Sequence, residues 1–133
     1  MDDTPPSSAA HLKGKRGIKR LWNATRYTMR GLAAAWRYED AFRQEVCLAV
    51  IALPLGVWLG QNGIERALLL GSILLILIVE LLNSALESIV DKASPEIHEL
   101  AGRAKDMGSA AVFISLVLAA LVWGLTLWEH FCG

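Results

Sequence analysis

Residues 67–79 (ALLLGSILLILIV) form an uninterrupted run of apolar and small side chains that ends at Glu80. A polar stripe opens there and continues through Asn83, Glu87 and Asp91. At about 100° per residue, these four positions share an arc of roughly 80° on one helix face. The run before Glu80 is shorter than the ~20 residues a helix needs to cross a bilayer. Completing the span, over 67–90, therefore places Glu80 and Asn83 inside the leaflet. Two further apolar segments read as spans: 46–60, short and interrupted by Pro54, with Trp58 as an interface anchor, and 110–131, with Trp123 and Trp128 near its far end. Residues 61–66 (QNGIER) make a tight turn between the first two.

The pattern ahead of these spans is different. Over 16–43, Trp22, Thr25, Met29, Leu32 and Trp36 recur at spacings of three and four, with Lys19, Arg20, Arg26 and Arg30 flanking or opposing them. That predicts an amphipathic, cationic helix lying on an anionic membrane surface. Residues 1–15, which include Pro5, Pro6, Ser7 and Ser8, read as a disordered tail. The expected architecture is an all-α membrane protein: one domain, 16–133, with a surface helix followed by three transmembrane helices.

Composition agrees with this reading and charge distribution adds an orientation. The chain is 54% hydrophobic with a formal net charge of zero over 133 residues, which suits a membrane protein and no nucleic-acid partner. Nine of the thirteen Lys and Arg precede residue 46, three lie between 91 and 108, and only Arg66 sits elsewhere. The excess of basic residues places the N-terminus and the 91–108 loop in the cytoplasm, and the 61–66 turn and the C-terminus in the periplasm. Cys47 and Cys132 sit too differently for a structural disulfide. The first 15 residues hold no apolar core of a cleaved signal peptide, so insertion relies on the spans. The chain carries no P-loop pattern, no Cys/His cluster for zinc and no Gly-x-Ser-x-Gly elbow.

Glu80 is the candidate around which chemistry is built. Its short side chain cannot snorkel past nearly three turns of helix, and a carboxylate facing the interior of a bundle marks function. Asp91, and with it Glu87, can reach water. A second polar segment, 98–108 (HELAGRAKDMG), ends where the third span begins. The two segments supply carboxylates, an amide, a Lys, an Arg and glycines at one membrane boundary. Carboxylates there can hold a hard cation such as Mg²⁺ together with substrate phosphates, and a Lys can neutralise those phosphates. A carboxylate kept from water is a better proton acceptor, as a general base requires. These residues alone point to phosphate chemistry or to ion passage.

Residues 80–91, 98–112 and 34–45 (AAWRYEDAFRQE) resemble the prokaryotic, integral-membrane diacylglycerol kinase family, with the likeness extending over about 16–131. The resemblance implies a homotrimer in the bacterial inner membrane, with active sites between subunits. It implies transfer of the γ-phosphate of MgATP to the hydroxyl of diacylglycerol, giving phosphatidic acid for phospholipid recycling. Carried over, Glu80 takes the place of the catalytic base, and Glu39 and Glu87 those of the Mg²⁺ ligands that bridge to ATP. Asn83, Asp91, Lys105 and Asp106 match the nucleotide site, as do Arg20, Tyr27, Glu96 and His98. The lipid site is matched by Arg20, Trp36, Arg43, Glu45, Glu80, Ser109 and Trp123.

Departures from the family pattern are a longer N-terminal tail, Pro95 in the cytoplasmic loop, and Thr28 where Ser is expected. Several of these residues also have plain structural readings. Glu39 beside Asp40 makes an ordinary acidic pair, Trp123 and Trp128 make interface anchors, Tyr27 packs at a helix boundary, and Gly102 and Gly108 serve as caps or close-packing points. Glu129 and His130 are expected to be exposed tail residues. Ala110, Ala111, Ala119 and Ala120 are expected to let helices of different subunits approach. The alternatives to a diacylglycerol kinase are an undecaprenol kinase, a small proton-coupled transporter and a non-catalytic assembly subunit.

Overall fold

The computed structural model describes residues 6–92 and 98–133, without side-chain detail for residues 6–13 and 98. Among the described residues its regular elements are all helices: α1 (Pro6–Tyr38), α2 (Asp40–Leu59), α3 (Gly63–Lys92) and α4 (His98–Cys132). α2, α3 and α4 are each long and apolar enough to cross a membrane. α1 is a compact unit by itself, and residues 39–133 form the other.

α1 starts at Pro6, ahead of the expected start at residue 16, because proline is at home in a first turn whose N–H groups have no partner. It ends at Tyr38 rather than near 43. Glu39 takes an extended conformation (φ −117°, ψ 107°), and its carbonyl accepts the first bond of α2 from Arg43 N at 3.2 Å. Pro54 does not interrupt α2, which runs through it to Leu59; a proline removes one backbone bond, and neighbouring helices stabilise the remainder.

The turn between α2 and α3 is shorter than expected, because α3 already begins at Gly63. Asn62 caps it: Asn62 Oδ1 accepts from Glu65 N at 2.9 Å, and Glu65 Oε2 accepts from Gln61 N at 2.8 Å. This arrangement satisfies one of the donors the helix start leaves open, Glu65 N, and ties down the N–H of Gln61 just ahead of the cap. Arg66 Nε donates back to Val57 O at 3.0 Å, and its stem lies where any side chain at Gly60 would have to go.

α3 is the middle helix, packed against α2 on one side and α4 on the other. Ala49 and Ala52 of α2, Ile73 and Ile76 of α3 and Ala119 of α4 form the core, with Leu53, Leu77 and Trp123 against it. Small residues set the spacing: a Cβ on Gly56 would stand 3.3 Å from Leu69 Cβ. Ala119 therefore packs within the chain itself, whereas Ala110, Ala111 and Ala120 are exposed. The most apolar window of α3 is 39% buried and that of α4 only 11%, so α4 leaves most of its apolar surface to be covered by lipid or by another chain.

Candidate active site

The polar stripe of α3 lies at the end of the bundle away from the Asn62 turn. Glu80 is only 5% exposed, and Ser84 one turn on is 8% exposed. A carboxylate so enclosed is held there at a cost, unless neighbouring groups or a ligand compensate. Its neighbours are themselves acidic. Glu45 of α2 comes within hydrogen-bonding reach of Glu80, and Glu39 and Glu87 stand close enough to act on it through their charge. Glu45 is thus the immediate neighbour of Glu80, and Glu39 and Glu87 lie farther out, within range of its charge.

Asn83 ties this group to α4. Its Nδ2 donates to Glu87 Oε1 at 3.3 Å, while Oδ1 is turned toward Gly108 of α4. Among the described residues, three buried side-chain atoms at this end have no hydrogen-bond partner: Glu45 Oε2, Asn83 Oδ1 and Ser84 Oγ. Farther along, Asp91 and Lys105 form an ion pair that joins the last turn of α3 to the early turns of α4, both side chains remaining open to water.

The other expected residues are distributed as follows. Arg43 is half-buried and paired with Asp40. Asp106 and Ser109 are exposed on α4. Trp123 is no lipid-facing anchor: its Nε1 donates to Leu69 O at 3.2 Å and the ring is half-buried. Arg20, Tyr27 and Trp36 are exposed on α1. At 100° per residue, Arg20 and Tyr27 share one face of that helix, while Trp36 joins Trp22 and Met29 on the other. Glu96 lies outside the described residues, and His98 opens α4 with its side chain outside them.

An apolar groove of about 350 Å³ lies on the membrane-spanning part of the bundle, lined by Leu48 and Ile51 of α2, Ile76 of α3, and Leu116, Ala120 and Trp123 of α4. Leu48 follows Glu45 by three residues and Ile76 precedes Glu80 by four, so the groove begins about one helical turn from the carboxyl pair.

Sequence reasoning missed one buried polar contact. His130, expected in an exposed tail, is half-buried, with Nε2 3.2 Å from Glu65 Oε2. The partners are 65 residues apart, beyond any local pattern.

Residues 26–127 match the family model described as prokaryotic diacylglycerol kinase. The chain is 49% identical over 115 residues to the diacylglycerol kinase of Escherichia coli strain K12, covering 86% of this chain and 94% of that protein. It is 50% identical over 108 residues to that of Haemophilus influenzae, covering 81% and 92%. With that of Pseudomonas aeruginosa it shares 48% identity over 120 residues, covering 90% and 98%.

Proposed function

This chain belongs to the prokaryotic diacylglycerol kinase family, a multi-pass membrane kinase that phosphorylates diacylglycerol from ATP, and we propose how its own residues carry out that transfer. The observation that carries the reading is the enclosed Glu80 among Glu39, Glu45 and Glu87, at one end of an apolar groove. Glu80 accepts the proton of the lipid hydroxyl as its oxygen attacks the γ-phosphorus, and ADP leaves with the electron pair of the broken P–O bond. An acyl chain lying in the groove would present that hydroxyl from within the leaflet. Glu45 beside Glu80 orients the hydroxyl, and Arg43, Ser109, Trp36 and Trp123 contribute to the lipid site.

The donor set suits a magnesium ion. It consists of oxygens alone, and Asn83 Oδ1 is a buried acceptor without a donor. Among the described residues no three His, Cys, Asp or Glu form a metal cage. Magnesium is commonly held by one or two carboxylates and completed by substrate phosphates. Glu39 and Glu87 would hold it, and when bound it neutralises charge on the transferring phosphate. Lys105, paired with Asp91, adds positive charge on the water-accessible side, and the family resemblance is the ground for assigning Asp106, Arg20, Tyr27, Glu96 and His98 to nucleotide binding as well.

The family resemblance is the ground for proposing a homotrimer with sites completed between subunits, and the apolar surface of α4, open to lipid or to another chain, leaves room for such a contact. The distribution of basic residues supports a cytoplasmic N-terminus and carboxylate end, with the Asn62 turn and C-terminus in the periplasm. With Cys47 and Cys132 replaced by Ala, a cysteine at Gln61 should react with an impermeant thiol reagent in intact spheroplasts. One at Lys92 should react only after the membrane is opened. The reverse labelling would put the carboxylates away from cytoplasmic ATP.

The activity itself is tested with purified protein, radiolabelled ATP and either lipid. Label should pass to diacylglycerol. Faster transfer to undecaprenol would reassign the substrate, and no transfer to either would end the kinase reading.

A further inference from the structure

Gly108 is buried on α4 where that helix meets the Asn83 side chain. The Cβ of an alanine there would overlap Asn83 Oδ1, stand 3.2 Å from Asn83 Cγ and stand 3.8 Å from Leu86 Cδ2. The fit is particular to this position, since Gly102, two turns earlier on the same helix, has open space around it.

Asn83 has two ends with different fates. Nδ2 donates to Glu87 Oε1, whereas Oδ1 is enclosed and accepts from nothing among the described residues. The terminal torsion of an Asn is soft, so its rotation is set by what surrounds it. On one side that surrounding is the bare backbone of Gly108. We propose that Gly108 is a positioning residue for phosphoryl transfer: its missing side chain leaves the recess in which the Asn83 carboxamide lies, and so aims Nδ2 at Glu87. The inference rests on the assignment of Asn83 and Glu87 to the nucleotide and metal site.

A methyl at 108 displaces the carboxamide, and Glu87 loses the donor that orients its carboxylate. Orientation of a ligating carboxylate by a hydrogen bond behind it strengthens metal binding. Helix propensity acts the opposite way, because alanine is the better helix former. A loss on Gly108→Ala therefore comes from the contact with Asn83 and not from the helix.

The test uses the full chain in mixed micelles with diacylglycerol, comparing Gly108→Ala, Asn83→Ala and the double variant. Gly108→Ala should raise both the KM for MgATP and the half-saturating free Mg²⁺ by about tenfold, the effect of one lost hydrogen bond to a charged group. The KM for diacylglycerol should not move. Asn83→Ala should give the same shift, and the double variant should be no worse than Asn83→Ala, since the methyl then has room. Losses that multiply in the double variant, or a shift confined to the lipid KM, would overturn the proposal. If Gly108→Ala fails to assemble, recovery of assembly in the double variant, with the kinetics of Asn83→Ala, supports it. Failure of the double variant as well overturns it. An unchanged MgATP KM in Asn83→Ala would remove the site assignment together with the inference, whereas a shift in Asn83→Ala alone removes only the role of Gly108.

Discussion

At the turn end of the three-helix unit, Gln61, Asn62, Glu65, Arg66 and His130 hold one another and the backbone through hydrogen bonds of 2.8–3.2 Å. At the opposite end, Glu45, Asn83 and Ser84 each keep a buried polar atom without a hydrogen-bond partner among the described residues. Both ends are rich in polar side chains, but only one closes its own network. A buried donor or acceptor left unpaired costs about 1–3 kcal/mol, so folds that need only to be stable pair such groups. The turn end uses polarity to fasten α4 to the α2–α3 corner. The carboxylate end leaves acceptors and acids unpaired, as the proposed role in binding a cation and phosphates would require.

The sharpest way to break this contrast is Glu80→Gln. It keeps shape and removes the proton acceptor, so turnover should fall by a factor of about 10² to 10⁴ while the KM for MgATP and the melting temperature in detergent hold. Turnover close to that of the unaltered protein would remove Glu80 as the base. A smaller effect is expected for Glu87→Ala and Glu39→Ala. Each should raise the Mg²⁺ needed for half-maximal rate by about tenfold, equivalent to ~1.4 kcal/mol, and excess Mg²⁺ should recover part of the rate. A metal requirement unchanged in Glu39→Ala would leave Glu39 as nothing more than the joint between α1 and α2.

The smallest effect belongs to the other end. His130→Ala removes the contact to Glu65, and thermal unfolding in detergent should register a loss of about 1 kcal/mol. Both substrate KM values should stay put. A kinetic effect larger than the stability effect would mean that the two ends are coupled and the contrast is too simple.

What the sequence made legible follows the range over which each signal acts. Apolar runs and the position of Glu80 within one of them are local, and they located the three membrane helices and the stripe from Glu80 to Asp91. The break at Glu39 left no such mark, because Tyr38, Glu39 and Asp40 include neither Gly nor Pro. The convergence of Glu45 on Glu80, the fit of Gly108 against Asn83 and the His130–Glu65 contact join different helices. No periodicity within one helix announces them. Trp123 shows the same limit: an aromatic near a span end looks like an anchor until its donor is found on Leu69 O.

α4 is apolar around its circumference and little of it is buried, so hydropathy alone gives it no preferred phase about its own axis. Its phase is set by the residues that touch α3 or the corner beyond: Lys105, Gly108, Ser115, Ala119, Trp123 and His130. Placed at 100° per residue, all six fall within an arc of roughly 80°. The helix thus behaves like a key cut along one edge, with the active-site end and the corner end on the same shank. One residue inserted between Ser109 and Ser115 would turn the later teeth by about 100° relative to the earlier ones. Lys105 could then meet Asp91, or Trp123 could meet Leu69, but a straight α4 could not do both.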